Sequence, residues 1–202
     1  MHRAVALFRL FVLVVLLAGP AFAEDASPKA PVEALNQKLL DVMRRSNELG
    51  FDGRARELRP VVESSFDMPF MAGASLGPDW SKLTPEQKDR LAQAFTAYSV
   101  AQYASSFSGY SGEQFQMGDV VKRPNGDVVV KSKIVPRTGT PTELDYLERQ
   151  AGGQWKIIDV YLDGSVSQLA IRRSELSAVY KRGGVDGLIQ ALEQKAQQIA
   201  KP

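Results

Sequence analysis

The chain contains no cysteine. Disulfides, thiolate nucleophiles and Cys-ligated metals are therefore excluded in one step. The one histidine is His2, ahead of everything that reads as a folded domain. Its position removes Ser-His-Asp and Cys-His catalysis, His-ligated zinc and HExxH chemistry. No Ser-x-x-Lys stretch occurs. No Gly-rich phosphate loop follows a strand pattern, which argues against a nucleotide site. Calcium would need clustered oxygen ligands, and Asn125-Gly126-Asp127 is too short for that. Neither a metal nor a cofactor is expected. A surplus of one charge sign is missing too. Of the 25 Lys and Arg, Arg3 and Arg9 precede residue 24, which leaves 23 against 23 acidic residues. That balance excludes nucleic acid as an expected partner, and no polybasic stretch points to an anionic membrane. Local pairs such as Arg44-Arg45 and Arg172-Arg173 read as solvated helix faces.

The apolar run Leu10 to Ala18 is short. Spanning a bilayer takes about 20 residues. Arg3 and Arg9 flank its start, Gly19-Pro20 break it, and Ala21-Phe22-Ala23 has the small-x-small pattern of a cleavage site. Together these predict a secretory signal peptide over residues 1–23, cleaved after Ala23. Residues 24–202 are expected to form one domain, with a polar, disordered stretch at 24–30.

Apolar spacing predicts a helix from near Pro31 to Gly50, built on Val32, Leu35, Leu39, Val42 and Met43. A second is expected over Asp52 to Ser65, weakened by Pro60. Residues 66–83, rich in aromatics, Pro and Gly, read as irregular. Thr84-Pro85-Glu86-Gln87 is a capping box with Pro in the permitted slot, so a helix should run from Pro85 to about Phe107. The period then changes to two. Strands are expected at Phe115–Val121, Val128–Val135, Thr142–Gln150 and Gln154–Leu162. Asn125-Gly126 and Gly152-Gly153 mark the two tight turns. Helices from Val166 to Arg182 and from Val185 to Ile199 close the chain, separated by Gly183-Gly184. The pattern is α+β: a curved, four-stranded antiparallel meander packed with N- and C-terminal helices.

Three function classes remain. Asp119, Asp145, Asp159 and Asp163 fall on or near the strands, and a carboxylate pair could run glycoside chemistry. Strand-end aspartates more often cap turns or pair with a nearby Arg, so no catalytic residue is assigned. An exported, non-catalytic adaptor would have a filled core and an exposed apolar patch for a protein partner of a membrane transport complex. Third, the aromatics and methionines of Phe66–Trp80 and Phe95–Tyr110 read as ordinary core, or as the wall and mouth of an apolar cavity.

The residues also carry a resemblance. Phe66-Asp67-Met68-Pro69-Phe70-Met71, Leu76-Gly77-x-x-Trp80 and Leu83-Thr84-Pro85-Glu86-Gln87 are followed by Phe95 and Tyr103. Then come Asp145-Tyr146, Trp155-Lys156-Ile157-Ile158-Asp159-Val160, Arg173-Ser174-Glu175 and Gly184-Val185-Asp186-Gly187-Leu188-Ile189. This ordered set resembles the MlaC-type periplasmic lipid-binding proteins, the toluene-tolerance family. Asp163-Gly164-Ser165-Val166-Ser167 departs from the usual Gly-Val-Ser, and with Arg172-Arg173-Ser174-Glu175 it is similar to the hopanoid-associated HpnM branch. The resemblance implies a non-enzymatic periplasmic carrier of membrane lipid, either hopanoid or phospholipid. It would exchange lipid with an inner-membrane lipid transporter and an outer-membrane acceptor complex. Candidate lipid-binding residues are Phe66, Phe70 and Met71, then Leu91, Phe95, Tyr98 and Tyr103 on the Pro85 helix. Tyr146, Ile158 and Val160 on the strands and Leu169 complete the set. Trp155 is placed on the opposite sheet face from Ile158.

Overall fold

A computed structural model describes residues 27–201. The segment 1–23 expected to be a signal peptide and residues 24–26 of the polar stretch lie outside the described residues. Helix α1 (Ala30–Arg44) carries Pro31 in its first turn, where a missing N–H leaves no bond unmade. Val32, Leu35, Leu39 and Val42 recur every three or four residues and are fully buried. The helix stops earlier than expected, because Arg45 is not helical (φ −103°, ψ 15°). Helix α2 (Ser46–Ser65) then contains the predicted break at Gly50, whose φ of 58° and ψ of −171° are open essentially to glycine alone. Pro60 sits on the exposed side of α2. Arg54 is buried, and its guanidinium donates to the carbonyls of Ala104 (2.9 Å) and Ser46 (3.1 Å).

Residues 66–83 are more regular than expected. They form α3 (Met68–Leu76) and a 3₁₀ turn, Gly77–Lys82. Asp67 caps α3 by accepting from the Phe70 N–H at 3.0 Å, and Pro69 lies in the first turn. The breaker residues mislead here for a packing reason. Gly73 is inside the helix because a Cβ there would stand 3.0 Å from the Trp80 ring. Helix α4 (Pro85–Ser106) has the predicted capping box, with Thr84 accepting from the Gln87 N–H and Gln87 accepting from the Thr84 N–H.

The strands are β1 (Gln114–Lys122), β2 (Val128–Val135), β3 (Thr142–Ala151), β4 (Gln154–Leu162) and β5 (Val166–Ser167). They pair antiparallel in sequence order. The meander thus has five strands rather than four. Asp163 and Gly164, both at positive φ, turn the chain back so that Val166 pairs with Leu162. Two residues are too few for an alternation to show in sequence. Helix α5 (Gln168–Ala200) follows directly, capped by Ser167, and breaks at Gly184 (φ 61°, ψ −162°), where the sequence places the end of one helix and the start of another.

The helices cover one face of the sheet. Val128 and Val130 on β2, and Tyr146 and Glu148 on β3, point into the covered side and are at most 3 % exposed. The opposite face carries exposed Lys131, Lys133 and Glu143. A bulge sets which residues of β4 point inward. Tyr146 pairs with Val160, yet Glu148 pairs with Ile157, so β4 has one extra residue, Ile158. Trp155 and Ile157 therefore share the covered face with Val160 and Leu162. The unbroken alternation that placed Trp155 on the other face fails at this bulge.

Candidate functional site

One end of the covered face is hollow. Leu144, Tyr146, Val160 and Leu162 form its floor. Phe66 and, from α3, Met68 and Met71 form one wall. Helix α4 contributes Ser99, Gln102, Tyr103 and Ser106 at helical spacing, with Phe107 at its end. Gln168 and Arg172, one turn apart on α5, complete the lining. The hollow measures about 330 Å³ and opens to solvent. Small-molecule cavities run from about 300 to 1,000 Å³, so it stands at the lower end. A hollow of about 410 Å³ on the other sheet face, around Lys131 and Asp145, is more open and more polar, and offers an apolar group little to bury against.

An aromatic row gives the wall its shape. The rings of Phe66 and Tyr103 lie 5.8 Å apart, Tyr103 and Phe107 5.9 Å, and Phe107 and Phe115 6.2 Å. Arg172 provides a charge at the edge. Its guanidinium stacks over Tyr98 at 4.8 Å and Phe95 at 5.8 Å, and donates to the Gln102 carbonyl oxygen. Gln102 in turn donates to the Tyr98 hydroxyl at 3.0 Å. Burial pushes the pKa of the Tyr103 and Tyr146 phenols up and suppresses their ionisation, so both stay neutral donors.

Five of the eleven residues singled out from sequence line this hollow: Phe66, Met71, Tyr103, Tyr146 and Val160. The other six do not. Leu91 and Phe95 are filled core, at 1 % and 0 % exposure. Phe70 lies under the Arg149 guanidinium at 4.9 Å, and Arg149 is paired bidentately with Asp127. Tyr98 sits behind Arg172. Ile158 is the bulge residue, and Leu169 is tied by its N–H to Asp159. Sequence reasoning missed Arg172, which it read as one of a solvated pair. A faint signal existed: Gln168 and Arg172 are four residues apart at a helix start that follows a strand almost directly.

Two of the four candidate aspartates, Asp159 and Asp145, are engaged structurally. Asp159 accepts from the N–H groups of Val160 and Leu169 and from the Ser167 hydroxyl (2.5 Å). Asp145 pairs with Lys131 at 2.5 Å. Among the described residues no cluster of His, Cys, Asp and Glu could hold a metal, and no helix is long and apolar enough to cross a membrane.

A family model described as MlaC protein matches residues 33–194. The chain belongs to the MlaC family. A phospholipid-binding protein from Ralstonia solanacearum, solved in complex with a phospholipid, has the same fold. Its TM-score is 0.75 at 23% identity, over 87% of this chain and 100% of that one. No curated protein matches this MlaC-family chain.

Proposed function

We propose that this protein is a non-enzymatic carrier that moves membrane lipid through the periplasm. The observation that carries the reading is the hollow itself: an apolar space between sheet and helices, open at one end, with Arg172 at its edge. Each CH₂ removed from water is worth about 0.8 kcal/mol, so a tail of about 16 carbons is held by roughly 10 kcal/mol or more of hydrophobic free energy. Burial alone supplies this, and no reacting group is required. Without residues 1–23 the chain has balanced charge and neither His nor Cys, which suits that task. The adaptor alternative needs a filled core, and the hollow favours the carrier over it.

Several finer points belong to the same reading. The signal peptide over residues 1–23 delivers the chain to the periplasm. The lipid is a phospholipid or, following the sequence around Asp163 and Arg172, a hopanoid. An inner-membrane lipid transporter and an outer-membrane acceptor complex are the exchange partners. The MlaC-family match and the phospholipid in the Ralstonia structure support lipid as the cargo. Mass spectrometry of an organic extract of the exported protein, purified from a hopanoid-producing host, tests this. Stoichiometric lipid is the expected result, and its mass separates hopanoid from phospholipid. Protein that leaves the host without lipid would overturn the reading.

A further inference from the structure

The hollow is not uniformly apolar. Tyr103 on α4 and Tyr146 on β3 border it from opposite sides. Tyr146 is only 1 % exposed. Neither phenol is hydrogen-bonded to another group among the described residues, and neither oxygen is among the sealed, unpartnered polar atoms, so both hydroxyls reach the hollow. A hydroxyl left without a partner against a largely apolar lining is unfavourable, and phenylalanine would fill either place without that cost. Met71, Leu144 and Val160 beside them are apolar, while the other polar lining groups, Ser99, Gln102, Ser106, Gln168 and Arg172, all come from α4 and α5. Arg172 and the two phenols line the same hollow, so one ligand there meets a cation and two neutral donors.

A lipid ester has the matching groups: a charged head, carbonyl oxygens and hydrocarbon. We infer that the Tyr103 and Tyr146 hydroxyls donate to an ester carbonyl at the root of an acyl tail, so that the cavity selects acyl esters over tails of equal bulk without a carbonyl. The inference rests on the carrier reading and narrows its ligand class. A site built around donors rejects an analogue lacking the acceptor, because its buried groups are then left unpaired.

The test compares dipalmitoyl phosphatidylglycerol with its dihexadecyl ether analogue on the delipidated protein. The two lipids share head charge and tail length and differ in the carbonyls. The ester should bind about tenfold more tightly, as expected for one or two neutral hydrogen bonds. In the Tyr103→Phe, Tyr146→Phe double variant the ester-to-ether ratio should fall to about one. A ratio near one in the unaltered protein, which needs no variant to fold, would overturn the inference and leave the carrier reading standing. So would a ratio that survives the double substitution. Palmitate competing as well as the ester would move the site to a free carboxyl group and overturn the ester assignment. If neither phospholipid binds, the ester assignment is overturned, while the carrier reading, which also admits a hopanoid, stands or falls on the lipid extract.

Discussion

The two ends of the covered sheet face are built from the same strands and do different things. At one end Val128, Glu148 and Ile157 are at most 3 % exposed and lie in filled core. At the other, Leu144, Tyr146, Val160 and Leu162 floor a hollow. Both floors are mainly apolar, so the floor does not make the hollow. The roof does. The open end is roofed partly by the first half of α5, where Leu176 is the one buried residue before Gly184. Beyond that break Val185, Leu188, Ile189 and Leu192 are all buried. The loosely held half of the helix is the half that lines the cavity.

The largest expected effect breaks this comparison if it fails. Ile157→Ala, at the closed end and 0 % exposed, should cost about 2–5 kcal/mol. Leu144→Ala at the open end should cost about 1–2 kcal/mol, because its side chain already borders empty space and has fewer contacts to lose. Urea unfolding at unchanged m-value gives both numbers. Equal losses would mean that the hollow closes up in solution and that the two ends pack alike.

A second effect sharpens the contrast within the closed end. Glu148 is 0 % exposed and neither carboxylate oxygen has a hydrogen-bond partner among the described residues. Burial pushes its carboxyl up to about 8 from the ordinary 4.5. The folded state therefore holds a proton that the unfolded chain releases above about pH 4.5. Stability is fullest below that value, falls as pH rises towards 8, and levels off above it. At pH 7 the loss amounts to about 3 kcal/mol, from 1.36 kcal/mol per pKa unit. Glu148→Gln cannot titrate, so its unfolding free energy should stay flat between pH 5 and 8 while that of the parent declines. Parallel pH profiles would show that Glu148 reaches solvent or a partner.

How much of this was legible in sequence depended on the range of the signal. Thr84 to Gln87 announces α4 through bonds made within four residues, and Asn125-Gly126 announces a hairpin in the same way. Helix α3 was hidden because Gly73 answers to Trp80 rather than to local propensity. The bulge at Ile158 was hidden because only pairing with β3 reveals it, and one extra residue reverses inside and outside for Trp155. Of the site, residue type pointed to Phe66, Met71, Tyr103, Tyr146 and Val160 but could not separate them from filled core such as Leu91 and Phe95. Its edge could not be read at all: Arg172 becomes a site residue only once α5 is laid across Tyr98 and Gln102.

The smallest effect concerns what holds the roof to the floor. Asp159 leaves β4 and binds the start of α5 twice, through the Leu169 N–H (3.0 Å) and the Ser167 hydroxyl (2.5 Å). Ser167 is itself the cap of α5, accepting from the Ala170 N–H at 2.9 Å. One carboxylate thus ties a loosely packed helix start to the strand that floors the cavity. Asp159→Asn keeps the shape and removes the charge, so the bonds lose their charge assistance and stability should drop by about 1 kcal/mol. The more telling readout is kinetic. If the half-helix before Gly184 is the movable part of the roof, loosening its tether should speed release of bound lipid severalfold in a transfer assay. Asp163→Asn, whose carboxylate holds no such bond among the described residues, should leave the release rate unchanged. Equal rates for both variants and the parent would place the movable part elsewhere and reduce the contrast between the two halves of α5 to one of packing alone.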